Sequence, residues 1–222
     1  MKPNAKHDDI SLSALARCAR EAGVTVPEAA LPGLAEYLQL LCRWNKAMNL
    51  VGAHHWRDAM QRLVADSFHL ATFLDGLPLP EDPLCWDLGS GAGLPAIPLR
   101  MAWQRGTCWL VEAREKRALF LFTVLARVPL PGTHVFRGRV EHFFPKQARK
   151  ADCITSRAFM PWPQLLELVA PHLADDGIVV ILAREEPPAA GDIDGWELVG
   201  SFAYTADNVH RWFWALRRRA EG

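Results

Sequence analysis

The sequence predicts an α/β protein, an open and mostly parallel sheet with helices on both faces, preceded by a helical cap at the N-terminus. Three observations predict it. Residues 1–75 carry only helical patterning, residues 84–222 alternate between strand-like and helix-like runs, and the first strand-like run passes straight into a glycine-rich loop and an apolar helix. Alternation of this kind implies parallel strands joined by right-handed crossovers. The proline-rich stretch Gly76-Leu-Pro-Leu-Pro-Glu-Asp-Pro83 breaks both patterns and joins the two regions.

Within the first region, Ser11 can cap a helix that runs to about residue 22, with Leu12, Leu15, Ala16 and Ala19 on one face and Gly23 as its stop. A second helix starts near Leu31 and carries Leu34, Leu38, Leu41 and Met48 at three-to-four-residue spacing. A third covers about residues 57–74 through Met60, Leu63, Val64, Phe68 and Ala71. Strand candidates follow at residues 84–88, 107–112, 134–137, 152–156, 178–183, 196–204 and 211–216. Helices fall between the first five, at about 94–103, 115–127, a short piece near 140–144, and 162–173. No helix separates the last two strands, so one of them runs antiparallel to the rest.

A chain of 222 residues can form one domain with an appendage. Half its residues are hydrophobic and 23% charged, which excludes disorder as the default. A formal net charge of zero argues against broad non-specific binding of nucleic acid and leaves room for local basic patches. Residues 1–8 lack the apolar core of a signal peptide, and no apolar run approaches membrane-spanning length. The five cysteines are odd in number and form no C-x-x-C pair. Reduced thiols in a cytoplasmic protein, without structural disulfides or zinc, are the expectation. The histidines are scattered without metal-ligand spacing and no serine sits in a G-x-S-x-G elbow, so neither a metallohydrolase nor a serine hydrolase has support.

The most informative stretch is Leu84-Cys-Trp-Asp87-Leu-Gly89-Ser-Gly91-Ala-Gly93-Leu94-Pro95. An apolar run ends in an acid, three glycines follow at alternate positions, and a helix begins at once. Such a unit brings bare backbone and a helix N-terminus against a ligand. The third glycine of a dinucleotide fingerprint would fall at Leu94, which disfavours a dehydrogenase. A glycine-rich turn with no ligand is the alternative. Glu112 ends the second strand, 19 residues after Gly93, where an acid can accept hydrogen bonds from both ribose hydroxyls; a solvated helix cap is the other reading.

Val140 and Glu141 follow the third strand, and Glu141 by itself reads as a surface acid at a helix start. Ser156-Arg157-Ala158-Phe159-Met160-Pro161 follow the fourth. Arg157 either positions a substrate or carboxylate with its fork or closes the sheet end in an ion pair. Basic residues collect at Arg137 and Arg139, at Lys146, Arg149 and Lys150, and at Arg211 with Arg217–Arg219, the last group interleaved with Trp212 and Trp214. Arg137, Arg139, Arg211 and Arg217 are the candidate contacts to RNA phosphates, although surface charge accounts for each equally well.

An acid at a strand end followed by G-x-G-x-G resembles the cofactor loop of class I S-adenosylmethionine-dependent methyltransferases. More specifically, the chain resembles the RsmG (GidB) family, which methylates N7 of a guanine in bacterial 16S rRNA. The resemblance rests on Trp44-Asn45-Lys46-Ala-Met-Asn49-Leu50, Asp66-Ser67, the stretch from Asp87 to Pro98 with its two prolines, Lys116-Arg117 with Phe120-Leu121, and Ser156-Arg157-Ala158-Phe159. It covers about residues 38–216. It implies a Rossmann-like class I methyltransferase sheet of seven strands with an antiparallel member, S-adenosylmethionine as cofactor, and 16S rRNA or the small ribosomal subunit as partner.

Gly89, Leu94, Val140, Glu141 and Arg157 align with that family's cofactor contacts, and Gly91 joins them from the loop and Glu112 from the end of the second strand. No catalytic residue is singled out, since guanine N7 has a free lone pair and needs no base to remove a proton first. The departures are Leu63 and Trp212 in place of histidines, Ala96 in place of glycine, and Leu182-Ala183-Arg184-Glu185 in place of L-K-G. Two other readings stay open: a small-molecule methyltransferase using the same loop, and a nucleotide-sensing or assembly protein that keeps the pocket without the chemistry.

Overall fold

In the structure, a computed structural model that describes residues 10–189, 193–207 and 209–219, seven strands form one sheet. They are β1 (Leu84–Leu88), β2 (Thr107–Glu112), β3 (Thr133–Arg137), β4 (Ala151–Ser156), β5 (Leu173–Ala183), β6 (Trp196–Ala206) and β7 (Val209–Arg218), in the order β3-β2-β1-β4-β5-β7-β6. The pairs from β3 through β5 are parallel, and β7 lies antiparallel between β5 and β6. The mostly parallel sheet expected from the sequence is therefore present, with β7 as its reversed member. A tight turn joins β6 to β7, with Asp207 at φ +53°, and leaves no length for a crossover helix. Residues 1–9, to which the expectation about a signal peptide applies, lie outside the described residues.

Side chains alternate across the sheet, so each face feeds its own core. Cys85, Leu110, Cys153, Val180 and Phe213 enter one core, together with α5 (Ala96–Ala102) and α6 (Glu115–Arg127). Trp86, Val111, Ile154, Val179 and Trp214 enter the other, with α7 (Val140–Phe143) and α8 (Trp162–Val169). The N-terminal helices α1 (Leu12–Glu21), α2 (Leu31–Met48), α3 (Trp56–Ala59) and α4 (Ala65–Asp75) continue the first core outward over α5 and α6. Phe73 of α4 reaches the sheet itself, its ring 5.8 Å from that of Phe213. All five cysteines are free, and no helix among the described residues is long and apolar enough to cross a membrane.

The residues of the W-N-K-x-x-N-L segment shape the exit from α2. Asn45 is buried, donating to the Ala53 carbonyl at 2.7 Å and accepting from the Val51 N–H at 2.9 Å. Asn49 closes the helix in the left-handed region at φ +46°.

Three helices differ from the spacing-based expectation. The one expected over residues 57–74 is divided by a π-helical turn, Met60–Val64, in which the Ala65 N–H bonds the Met60 carbonyl. The one expected from residue 94 starts at Ala96, because the glycine loop's turn extends through Pro95. The one expected to reach residue 173 ends at Val169, and β5 already begins at Leu173. Leu173 pairs with Ala151 but Ile178 with Cys153, so residues 174–177 bulge from the strand.

Candidate active site

The glycine loop leaves β1 beside the point where the chain order reverses, between β1 and β4, the place at which open α/β sheets hold ligands. Gly89 and Ser90 both donate to the Val111 carbonyl, at 2.9 and 3.1 Å, which pins the loop over the end of β2. Gly89 and Gly91 sit at φ +74° and +58°, a region costly to a residue with a Cβ. The Gly91 N–H donates to Glu112 Oε2 at 2.8 Å, and the Arg114 N–H to Oε1 at 2.7 Å. Glu112 thus braces the loop and the start of α6 together, and it does so buried, not as a solvated cap. Each of its oxygens retains a second acceptor site.

The end of β3 is drawn to the same corner, since the Gly138 N–H donates to the Glu112 carbonyl at 3.0 Å. Val140 and Leu94 turn their side chains into the two cores, so what either offers a ligand is backbone. Glu141 is exposed in the first turn of α7. Gly89, Gly91, Glu112 and the backbone before Val140 are therefore brought together along the ends of β1, β2 and β3.

Asp87, below the loop, is buried. The Thr155 hydroxyl donates to its Oδ1 at 3.0 Å, while among the described residues Oδ2 has no hydrogen-bond partner. Burial pushes its carboxyl above the usual range, and hydrogen bonding to Ser90 and Thr155 and the nearby Arg157 guanidinium offset part of that rise. The helical region takes part as well: the buried Tyr37 hydroxyl of α2 donates to the Ala92 carbonyl in the loop at 3.0 Å. No sequence pattern singles out Tyr37.

Beyond β4 the chain turns through Ala158 in the left-handed region, at φ +55°, and lays the Phe159 ring against Gly89. Arg157 Nη1 stands 3.5 Å from Asp66 Oδ2, so the ion pair considered for it exists. The same guanidinium also faces a cavity of about 650 Å³, whose walls include Leu63, Asp66, Trp162, Glu185, Tyr204 and Trp212. The two readings of Arg157 are compatible in space. Asp66 is the residue that sequence spacing passes over: it is 3% exposed and accepts from Arg211 Nη1 at 2.7 and 2.6 Å. Its signal was an acid inside the apolar run Leu63-Val64-Ala65-Asp66, where a carboxylate is tolerated only with partners.

Leu63, Trp212 and Ala183–Glu185, where the chain departs from the resembled family, all line this cavity; Ala96 is instead buried at the start of α5. Of the four arginines expected against phosphate, Arg211 is committed to Asp66, Arg217 to Glu197 at 2.7 Å and Arg137 to Glu115 at 2.8 Å, whereas Arg139 is exposed. Among the described residues no group of three or more His, Cys, Asp or Glu side chains could hold a metal ion.

Comparison with known proteins identifies the family. The family model described as GidB, rRNA small subunit methyltransferase G, matches residues 30–188. A ribosomal RNA small subunit methyltransferase G from Nitratidesulfovibrio vulgaris strain DP4 is 52% identical over 209 residues, covering 94% of this chain and 95% of its own. The protein of the same name from Lawsonia intracellularis is 44% identical over 216 residues, covering 94% and 96%. Among solved structures, a SAM-dependent methyltransferase from Thiobacillus denitrificans, in complex with S-adenosyl-L-homocysteine, superposes with a TM-score of 0.52. It is 15% identical and covers 71% of this chain and 92% of that one, a likeness of fold. With the family matched across most of its length and the relatives across nearly all of it, the chain belongs to the GidB family, rRNA small subunit methyltransferase G.

Proposed function

We propose that this protein transfers a methyl group from S-adenosylmethionine to N7 of a guanine in 16S rRNA, in the cytoplasm and as a monomer. Family membership supports S-adenosylmethionine-dependent methylation of small-subunit rRNA, and the relatives bear that name. The observation that carries the reading is the meeting of two half-sites at Arg157. The glycine loop and Glu112 lie on the β1–β2 side, and the 650 Å³ cavity opens on the β4–β5–β7 side. Residues 84–222 form the methyltransferase domain in this reading, and residues 1–75 the helical cap that holds its loop through Tyr37.

The residues fit the cofactor. Bare backbone at Gly89 and Gly91, spare acceptor sites on Glu112 and an unfilled carboxylate oxygen on Asp87 suit a ligand that carries both hydroxyls and a positive charge. When bound, S-adenosylmethionine supplies an electrophilic methyl group on a sulfonium. Glu112 would hold the ribose, and the backbones at Leu94 and Val140, with Glu141, would line the remaining contacts. Arg157 would orient the base from its position between Asp66 and Asp87. Guanine N7 needs no proton removed, so the protein's contribution is alignment and exclusion of water.

The test is methyl transfer to small-subunit RNA or particles from a strain lacking this protein, with mapping of N7-methylguanine. One labelled guanine is expected. Absence of label at any guanine N7 overturns the substrate, while calorimetry checks the cofactor separately, with S-adenosylmethionine binding and NAD not binding.

A further inference from the structure

We propose that Arg117 receives the carboxylate at the amino-acid end of the cofactor, an assignment that rests on the S-adenosylmethionine reading above. Arg117 stands in the first turn of α6, just beyond the strand end that carries Glu112. Its guanidinium reaches over the glycine loop. A Cβ built on Gly91 would find Arg117 Nη1 at 3.8 Å and the Gly89 carbonyl oxygen at 3.8 Å, and no other atom within 4 Å outside its chain neighbours. The space above the bare Gly91 backbone is thus open and bordered by one cation.

Arg114 and Lys116, neighbours of Arg117 at the start of α6, are exposed, and other charges near the loop have protein partners. Both oxygens of Glu112 accept backbone N–H groups, Glu115 pairs with Arg137 at 2.8 Å, and Arg157 has Asp66 at 3.5 Å. Among the described residues, no carboxylate lies within ion-pair distance of Arg117. Its place also works against it electrostatically, because the positive end of the α6 dipole disfavours a cation in the first turn. A half-buried guanidinium held there with its donors unspent is complementary to an incoming anion.

The cofactor has one such group. Its adenosine and sulfonium portions carry no negative charge, and the carboxylate presents two oxygens that match a planar fork. Arg117 and Arg157 therefore divide the work: Arg157 has the Asp66 carboxylate at 3.5 Å and faces the cavity, and Arg117 has no carboxylate within ion-pair distance among the described residues and faces the loop.

Calorimetric titration with S-adenosylmethionine and with decarboxylated S-adenosylmethionine, which differ by the carboxylate, tests the assignment in wild type, Arg117→Met and Arg117→Lys. Methionine keeps the apolar stem and removes the fork. Wild type is expected to prefer the carboxylated ligand by about tenfold to a hundredfold, the range for hydrogen bonds to charged groups. Arg117→Met should weaken that ligand by a similar factor and leave the decarboxylated one unchanged, with Arg117→Lys between. Equal loss for both ligands in both variants, no loss for the carboxylated one, or no preference in wild type overturns the role of Arg117 and leaves the cofactor standing. If wild type binds neither ligand, the cofactor reading falls and this assignment with it. Melting of the unliganded variants identifies any that fails to fold, and the other variant then decides.

Discussion

Asp66 and Arg211, 145 residues apart in the chain, are joined by hydrogen bonds of 2.7 and 2.6 Å from one guanidinium nitrogen to both carboxylate oxygens. The pair fastens α4 to β7. Arg211 also donates to the Arg62 carbonyl at 2.8 Å, inside the π-helical turn, and Arg157 approaches the same carboxylate from the β4 loop. With Asp66 and Arg211 side chains only 4% and 17% exposed, their charges compensate each other away from water. Removing one partner strands the other. Asp66→Ala should destabilise the fold by about 3–5 kcal/mol, read from the urea midpoint, whereas the double variant Asp66→Leu, Arg211→Met should recover much of that loss. An Asp66→Ala midpoint equal to wild type would contradict the pairing.

Arg157 separates position from stability. Among the described residues it makes no hydrogen bond and one ion pair, long at 3.5 Å, so little of the fold depends on it. Arg157→Lys keeps the charge and loses the fork. Turnover on rRNA should fall at least about tenfold while unfolding free energy stays within about 1 kcal/mol of wild type. Unchanged turnover with a lowered melting temperature would make Arg157 a structural residue.

Two glycines of one loop should answer differently to substitution. A Cβ on Gly89 would stand 2.6 Å from the Phe159 ring as well as at φ +74°, so Gly89→Val displaces the 156–160 turn and the loop together. The obstruction is first to Phe159, not only to a ligand. At Gly91 the nearest atoms would be 3.8 Å away, leaving mainly the left-handed backbone cost of about 1–2 kcal/mol. Calorimetry should show cofactor binding abolished in Gly89→Val and retained, though weakened, in Gly91→Ala. Equal affinities in the two variants would refute the distinction.

The parts of this site that are legible in sequence are those set by local spacing. The glycine loop follows an apolar run directly, and Glu112 falls where the next strand ends, so both are visible without knowing what packs on them. Asp66 and Tyr37 reach the site from helices through long-range contacts; Asp66 shows locally only as an acid inside an apolar run, and Tyr37 leaves no local pattern. The π-helical turn leaves the expected face intact: Met60, Val64, Phe68 and Ala71 are buried and Leu63 packs half-buried against the same core, so spacing reads which side chains point inward but not the turn itself. Arg100 is hidden as Tyr37 is. It is 1% exposed, and its guanidinium donates to the carbonyls of Trp103, Gln104, Arg105, Gly106 and Pro131 and to the Thr133 hydroxyl, none of which spacing connects to it. The early start of β5 has a different cause, since the Asp175-Asp176-Gly177 bulge reads locally as the end of a turn.

Asp87 gives the loop a pH signature. Its carboxyl titrates above the ordinary 3.8 because burial penalises the charged form. The folded state therefore holds this proton more tightly than the unfolded chain, and the associated stability is full below 3.8 and is lost as pH rises through the folded value. Asp87→Asn removes the charge, and the Thr155 hydroxyl can turn to accept from the amide. The variant should melt above wild type at neutral pH, with the gap closing on acidification toward the carboxylate range. A gap that widens as pH falls would show that Asp87 is stabilised in its charged form instead.

RNA recognition has to come from local groups in a chain of zero formal net charge, and the four arginines considered for it are not equivalent. Arg211 is half-buried against Asp66 and cannot reach a phosphate without giving up that pair; Arg211→Ala should act mainly on stability. Arg139 is exposed beside the end of β3, and Arg137 is exposed with only the surface partner Glu115, an ion pair weak enough for a phosphate to displace. Removing one arginine that neutralises a phosphate lowers the salt dependence of binding by about 0.7–0.9 in the logarithmic slope. The pair Arg137→Ala, Arg139→Ala should therefore weaken rRNA binding and flatten its salt slope by about 1.4–1.8, with cofactor affinity unmoved. Binding measured across a salt series, beside calorimetry with S-adenosylmethionine, reads both quantities on one preparation. A slope identical to wild type would remove this edge of the sheet from the RNA interface, and the phosphates would then have to be met nearer Lys146, Arg149 and Lys150.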